Sequence, residues 1–239
     1  MCRKLFLFAL VLGMASASYG AIDPISNWEA SNKPDGWAIC TWGTQGDSTF
    51  TPGATVGVTR GVGSLKTLKT LNHLDTGGKT WGWNLIYASW QTGQTLTKAQ
   101  LWDAVHAGKR LEFDVTYDPV EMTDNGGDKW FDTHFALQID TTGGRVDVQW
   151  ENLAAWDGLA RQTFHISLDT TRTKDGLDAV IGSSAGINWI QMPLGFQAGP
   201  GWSDIATLYY DNLKLVVIPE PATMALLGLG ALALIRRKR

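Results

Sequence analysis

Residues 131–151 hold the side chains best placed for chemistry in this 239-residue chain. Phe131, Thr133, Phe135, Leu137 and Ile139 share one parity, and Asp132, His134, Ala136, Gln138 and Asp140 share the other. Successive side chains of a strand point to opposite faces, so this stretch predicts a strand with an apolar side and a polar side. Thr142-Gly143-Gly144 turns the chain into Arg145–Trp150, where Val146, Val148 and Trp150 face inward. The pair reads as a hairpin, with His134, Gln138, Asp147, Gln149 and Glu151 together on its outer side. Trp130 and Trp156 flank that patch in loops that contain Asp and Gly. Sugars present flat C–H faces that stack on aromatic rings, and hydroxyls that need amide and carboxylate partners. The pattern therefore predicts a glycan platform, with Trp130, His134, Gln138, Gln149 and Trp156 as its ligand-binding residues. Tryptophans also serve as core anchors, because each ring buries a large apolar area. Trp37, Trp81, Trp83 and Trp150 are assigned to the core.

Catalytic chemistry has less support. Glycoside hydrolysis needs two carboxylates flanking the bond. Glu112-Phe113-Asp114 places two acids on one exposed strand face, but no second Glu follows at the spacing of β-jelly-roll glucanases. There is no Gly-x-Ser-x-Gly elbow, and Cys40 has no motif partner. His73, His106, His134 and His165 are scattered, without zinc spacing. The expectation is a protein that is not an enzyme, with glycoside hydrolase as the weaker alternative.

The two ends are addresses. Arg3 and Lys4, the apolar stretch Leu5–Gly13 and the small residues after it read as a signal peptide over residues 1–20. At the other end, Pro219-Glu220-Pro221 precedes an apolar run, Ala222–Ile235, and Arg236-Arg237-Lys238-Arg239 closes the chain. The run is short against the roughly 20 residues of a spanning helix, yet Thr223 is its single polar member. The terminal cations would stay on the cytoplasmic side. This three-part tail, residues 218–239, resembles the PEP-CTERM sorting signal. That resemblance implies a transient transmembrane helix in the inner membrane, processing by an exosortase-like enzyme, and delivery to the cell surface or extracellular matrix of a bacterium that makes exopolysaccharide.

Between the ends, residues 21–217 suit one domain with a sizeable core. The chain has 20 basic and 23 acidic side chains, and its ends hold six of the bases and one acid, Glu220. The domain is left with a net charge of −8, which disfavours nucleic acid as a partner. Loss of the signal peptide leaves Cys40 as the lone cysteine, so no internal disulfide is expected. All twelve tryptophans lie in this domain, and Gly, Thr and Asp are frequent. Short alternating runs recur: Trp81, Trp83, Leu85 and Tyr87 on one face; Leu111–Tyr117; Phe164, Ile166 and Leu168; Ile187 and Trp189; and a last strand from Thr207 to Val217. One short helix is predicted over Lys98–Ala107, with a capping box at Thr97–Gln100 and Gly108 as its stop. Together these predict an all-β antiparallel sandwich.

Asn27-Trp28-Glu29, Asp35-Gly36-Trp37, Gly63-Ser64-Leu65-Lys66, Leu111–Val115 and the closing Tyr209-Tyr210-Asp211-Asn212-Leu213-Lys214-Leu215 resemble the jelly-roll carbohydrate-binding-module and galactose-binding-like domains. The resemblance implies a last strand beside the first, and a structural calcium on Glu29 and Asp211. Calcium takes six to eight oxygens and accepts such carboxylates. The bland alternative leaves Glu29 solvated and Asp211 capping a turn. Asp124–Asp128 lacks the ligand spacing of an EF-hand and reads as a solvated tip. The function expected is a non-catalytic surface or matrix protein that binds extracellular polysaccharide. The alternative is a structural, self-associating envelope protein without a glycan ligand.

Overall fold

The alternating runs become strands, and their apolar parities meet in one core. The computed structural model describes residues 23–26, 35–39, 48–54, 64–70, 80–90, 93–124, 129–199, 202–203 and 205–217. Residues 1–20, Glu29, Cys40, His73 and the tail 218–239 lie outside them. In chain order the elements are β1 (Asp23–Ser26), β2 (Trp37–Ile39), β3 (Ser48–Ala54), β4 (Ser64–Thr70), β5 (Thr80–Ala88), α1 (Lys98–His106), β6 (Lys109–Tyr117), β7 (Thr123–Asp124), β8 (Phe131–Thr141), β9 (Gly144–Trp150), β10 (Gln162–Leu168), α2 (Thr171–Val180), β11 (Ile187–Ala198), β12 (Trp202–Ser203) and β13 (Ile205–Val217). One antiparallel sheet runs β10-β6-β13-β4-β3, with β1 also on β13. The second runs β2-β5-β11-β8-β9, and β12 and β7 form a small ribbon. The chain is an antiparallel jelly-roll sandwich, and its last strand lies beside its first.

The core between the sheets gathers Leu85, Tyr87, Phe113, Val115, Tyr117, Phe135, Phe196 and Tyr210 from both layers. Helix α1 covers one end. Thr97 Oγ1 accepts the Gln100 N–H at 3.2 Å and Gln100 Oε1 accepts the Thr97 N–H at 2.8 Å, which is the capping box read from the sequence. The helix buries Leu101, Ala104 and Val105, and Gly108 ends it at φ +66°.

Three sequence expectations need correction. Trp83 is buried, at 6 % exposure, but it joins a second cluster with Ile86 and Ala136 and does not share the face of Leu85 and Tyr87. A register shift in the β5–β11 pairing sets Leu194 opposite Leu85 and the next residue, Gly195, opposite Trp83, so that Asn84 of β5 is passed over and Trp83 turns to the outer face. A second irregularity, between Ile187 and Trp189, sends Trp189 outward while Ile190, Met192, Leu194 and Phe196 fill the core. Helix α2 has no counterpart in the sequence reading, because Thr173 and Leu177 are its only buried residues. It packs close to β9: a Cβ on Gly176 would lie 2.7 Å from Val146. Among the described residues no helix is long and apolar enough to cross a membrane.

Candidate functional site

Strand β8 is the middle of the site. It lies between β11 and β9, and every residue from Phe131 to Ile139 is buried. The register lays the outward side chains in rows across β5, β11, β8 and β9. Trp83, Gly195 and His134 make one row. Ile86, Pro193 and Ala136 make the next, with Gln149 opposite Ala136. Gln191, Gln138 and Asp147 make a third, and Trp189, Asp140 and Arg145 a fourth. The predicted patch of His134, Gln138, Asp147 and Gln149 is therefore assembled on one face. Beside it, Trp83, Ile86 and Ala136 form a small apolar cluster against Ala38 that the sequence reading did not place there.

The polar groups on this face are unequally satisfied. Asp132 Oδ1 accepts N–H groups from Thr133 at 2.8 Å and Ala154 at 3.0 Å, which pins the loop after β9 to β8. Gln138 Nε2 donates to Asp147 Oδ2 at 3.3 Å, and Arg145 Nη2 lies 3.3 Å from the same oxygen. Gln138 Oε1 and both ring nitrogens of His134 are buried with no hydrogen-bond partner among the described residues. His134 is 1 % exposed and Gln138 5 %. Most buried polar groups are paired, so these three open atoms on one face mark a place with unused hydrogen-bonding capacity. Burial holds the His134 pKa below 6.5, partly opposed by the negative charges of Asp132 and Glu151. The ring is therefore neutral at pH 7, with one donor and one acceptor.

The two flanking tryptophans separate. Trp130 is half-buried, and its carbonyl accepts the Gly199 N–H at 2.9 Å, which extends the β8–β11 ladder and gives Trp130 the outward parity of His134. Trp156 is 1 % exposed, stacks on Tyr117 at 5.3 Å, and donates its indole N–H to the Ala160 carbonyl at 2.7 Å. Trp156, assigned to the glycan platform from the sequence, is thus buried in the core. Its backbone pairs with Phe131, so the loop folds inward and its ring anchors the core. Gln149 is exposed at the rim.

The opposite face of the sandwich holds Glu112, Asp114 and Asp211. Glu112 and Asp114 share one face as predicted, but Asp114 is buried rather than exposed. Asp114 accepts from His165 Nδ1 at 2.8 Å and Asn212 Nδ2 at 2.8 Å, and Glu112 accepts from Ser167 Oγ at 3.1 Å. These carboxylates belong to a polar lattice across β13, β6 and β10. Asp211 stands opposite Asp114 in register, and its Oδ1 accepts the Asn212 N–H at 2.7 Å. Its predicted partner Glu29 lies outside the described residues. Among the described residues no group of three or more His, Cys, Asp or Glu gathers as a metal site.

Residues 217–239 match the family model of the PEP-CTERM protein-sorting motif. The chain carries a PEP-CTERM sorting signal. The motif marks an exported protein sorted to the cell envelope. No curated protein matches the sequence. Three solved structures are similar in outline. A structure of promiscuous carbohydrate-binding modules from the β-sandwich superfamily aligns at TM-score 0.46 and 12% identity, over 81% of this chain and 62% of that one. The mannan-recognising module TmCBM27 aligns at TM-score 0.45 and 12% identity, over 83% and 98% of the two chains. A xylan-binding CBM22-1 domain from Paenibacillus barcinonensis aligns at TM-score 0.44 and 12% identity, over 84% and 97%. This chain thus spans under two thirds of the first structure's length.

The buried neutral His134 makes stability depend on pH. Its folded pKa lies below that of the unfolded ring, so the unfolded chain binds more protons as pH falls past 6.5. Stability is full above that value and declines below it, until the folded ring also protonates. Urea unfolding at pH 7.5 and 5.5 should show wild type losing stability relative to His134→Gln on acidification. A difference between the two proteins that stays constant with pH would contradict a neutral buried ring.

Proposed function

We propose that this protein is a non-catalytic component of the cell surface or extracellular matrix that binds extracellular polysaccharide on the outer face of the β2-β5-β11-β8-β9 sheet. The observation that carries the reading is the set of unpaired polar atoms on buried His134 and Gln138, beside Trp83 and Ile86, which are buried as well, so that binding requires this face to be uncovered. An unpaired buried polar group costs about 1–3 kcal/mol, and a ligand that fills it removes that cost. A sugar hydroxyl both donates and accepts, as the neutral imidazole and the Gln138 carbonyl require. Half-buried Trp130 stands at one border of this face and exposed Gln149 at its rim. Sorting to the envelope brings the protein to where such polymers accumulate.

The binding test uses the purified protein on a glycan array and on exopolysaccharide from the same bacterium. Wild type should be retained, and His134→Ala and Gln138→Ala should each weaken retention about tenfold, roughly 1.4 kcal/mol. No retention of any glycan, with concentration-dependent assembly instead, would favour the self-associating structural alternative.

The tail supports processing by an exosortase-like membrane enzyme, with residues 218–239 as a transient inner-membrane anchor. Replacing Pro219, Glu220 and Pro221 by alanine should leave a longer precursor in the membrane fraction on immunoblots. Normal processing of that variant would exclude the motif as the recognition element.

A structural calcium on Glu29 and Asp211 is a further proposal, supported by the pairing of Asp211 with Asp114. Like charges directly opposite each other on neighbouring strands are destabilising, and a cation relieves them. A chelator should lower the melting temperature and added calcium restore it, with an effect of about 2.7 kcal/mol at a hundredfold excess over Kd. An unchanged melting temperature would remove calcium from the account.

A further inference from the structure

Trp90 is the most exposed aromatic side chain among the described residues, at 57 %. It is held in place: its ring meets Trp189 edge-on, with centroids 5.8 Å apart at 90°. The Arg145 guanidinium lies over the Trp189 ring, 5.5 Å from its centroid. Beyond it, Asn188 Nδ2 donates to Asp140 Oδ2 at 2.9 Å. An indole left open to solvent while its neighbours immobilise it is preorganised for stacking.

This aromatic end lies on the same sheet face as His134. Trp189 and Gly195, the β11 partner of His134, are six residues apart, a span of about 20 Å, the length of roughly four linked sugar rings. Between them the outward positions of β11 are Gln191 and Pro193, and Gly195 carries no side chain. Proline and glycine keep the middle of the strand low, and the β8 neighbours of these positions are Gln138 and Ala136. The same sheet face thus runs from the buried, unpaired atoms of His134 and Gln138 to the exposed Trp90 beside Trp189. Its charged groups include three acids: Asp140 stands opposite Arg145, Asp147 holds Arg145 at 3.3 Å, and Glu151 follows the end of β9. A polyanionic chain would meet like charge along this rim.

We propose that Trp90 and Trp189 form a second stacking subsite, so that the protein reads several consecutive rings of an uncharged, linear polysaccharide. The inference rests on the polysaccharide reading above and adds a chain length, a charge class and two residues to it. His134 and Gln138 hold one part of the chain, and the tryptophan pair holds a part about four rings away.

The test uses the full protein and exopolysaccharide from the same bacterium, partially hydrolysed, split into neutral and uronate-containing fractions by anion exchange, and sized. Affinity for neutral fragments should rise with length up to about four or five rings and then level off. Trp90→Ala and Trp189→Ala should lower affinity for the long neutral fragments at least tenfold, down to the short-fragment value, and leave the short fragments unaffected. Trp90→Phe should restore most of the loss. His134→Ala should weaken short and long fragments alike. Near-ultraviolet circular dichroism and an unchanged melting temperature establish that Trp90→Ala, a change at an exposed side chain, keeps the fold. Affinity independent of length, wild-type affinity of Trp90→Ala for long fragments, or tighter binding of the uronate fraction would overturn the proposal while leaving polysaccharide binding intact. Failure of every fragment to bind wild type would overturn both.

Discussion

Strand β8 is buried on both faces, and the rest of the candidate site follows from that constraint. A strand with one face in water can leave its polar residues to the solvent. Here Asp132, His134 and Gln138 point away from the core yet remain at most 5 % exposed. Each must find a partner within the protein or be left unpaired at a cost. Asp132 finds two backbone N–H groups, and Gln138 finds Asp147 with its amide nitrogen. His134 finds none, and neither does the Gln138 carbonyl oxygen. The same geometry therefore leaves three of their atoms buried and unpaired among the described residues.

The inner face of the same strand ties the site to the core. Thr133 Oγ1 lies 2.5 Å from the Tyr117 hydroxyl, which links β8 to β6 across the sandwich. Tyr117 stacks on Trp156 and meets Phe131 at 5.2 Å, and Trp156 pairs its backbone with Phe131. The loop after β9 is thus held twice, by its own tryptophan in the core and by the Ala154 N–H on Asp132. Removing Trp156 would act through this packing, since a large buried aromatic replaced by alanine costs about 3–5 kcal/mol. A binding defect in such a variant would follow from lost structure.

Much of this was legible in the sequence, and the misses have physical causes. The β8–β9 hairpin, its register and the capping box of α1 depend on local rules, period two and short-range hydrogen bonds, so the residues state them directly. The outward positions of Trp83 and Trp189 depend on irregularities in the pairing of β11 with its neighbours, which alternation within one strand cannot reveal. Trp156 looked like a loop residue because its strand-like pairing is a single bridge to Phe131. Helix α2 was hidden because it contributes little to the core, and Gly176 within it weakens the helical signal. Trp90 lay just past a strand end, where nothing in the pattern distinguishes a stacked ring from a buried one.

A site built on a sheet face differs in kind from one built on loops. Backbone pairing on both sides of β8 and β11 sets the spacing of Trp189, Gln138 and His134, so little ordering entropy remains to be lost on binding. On the proposed reading, the unpaired atoms of His134 and Gln138 would be relieved by a partner that brings hydrogen-bonding groups to them, a sugar hydroxyl among these. The sorting signal adds a second advantage. If the partner is a polysaccharide, as proposed, copies sorted to one envelope would meet a polymer that repeats the same unit many times, and modest single-site affinity would be multiplied by effective concentration. Under that condition selection falls on where each copy is placed and on the fit to a short run of units, and the address at Pro219-Glu220-Pro221 and the face around His134 become two halves of one binding problem.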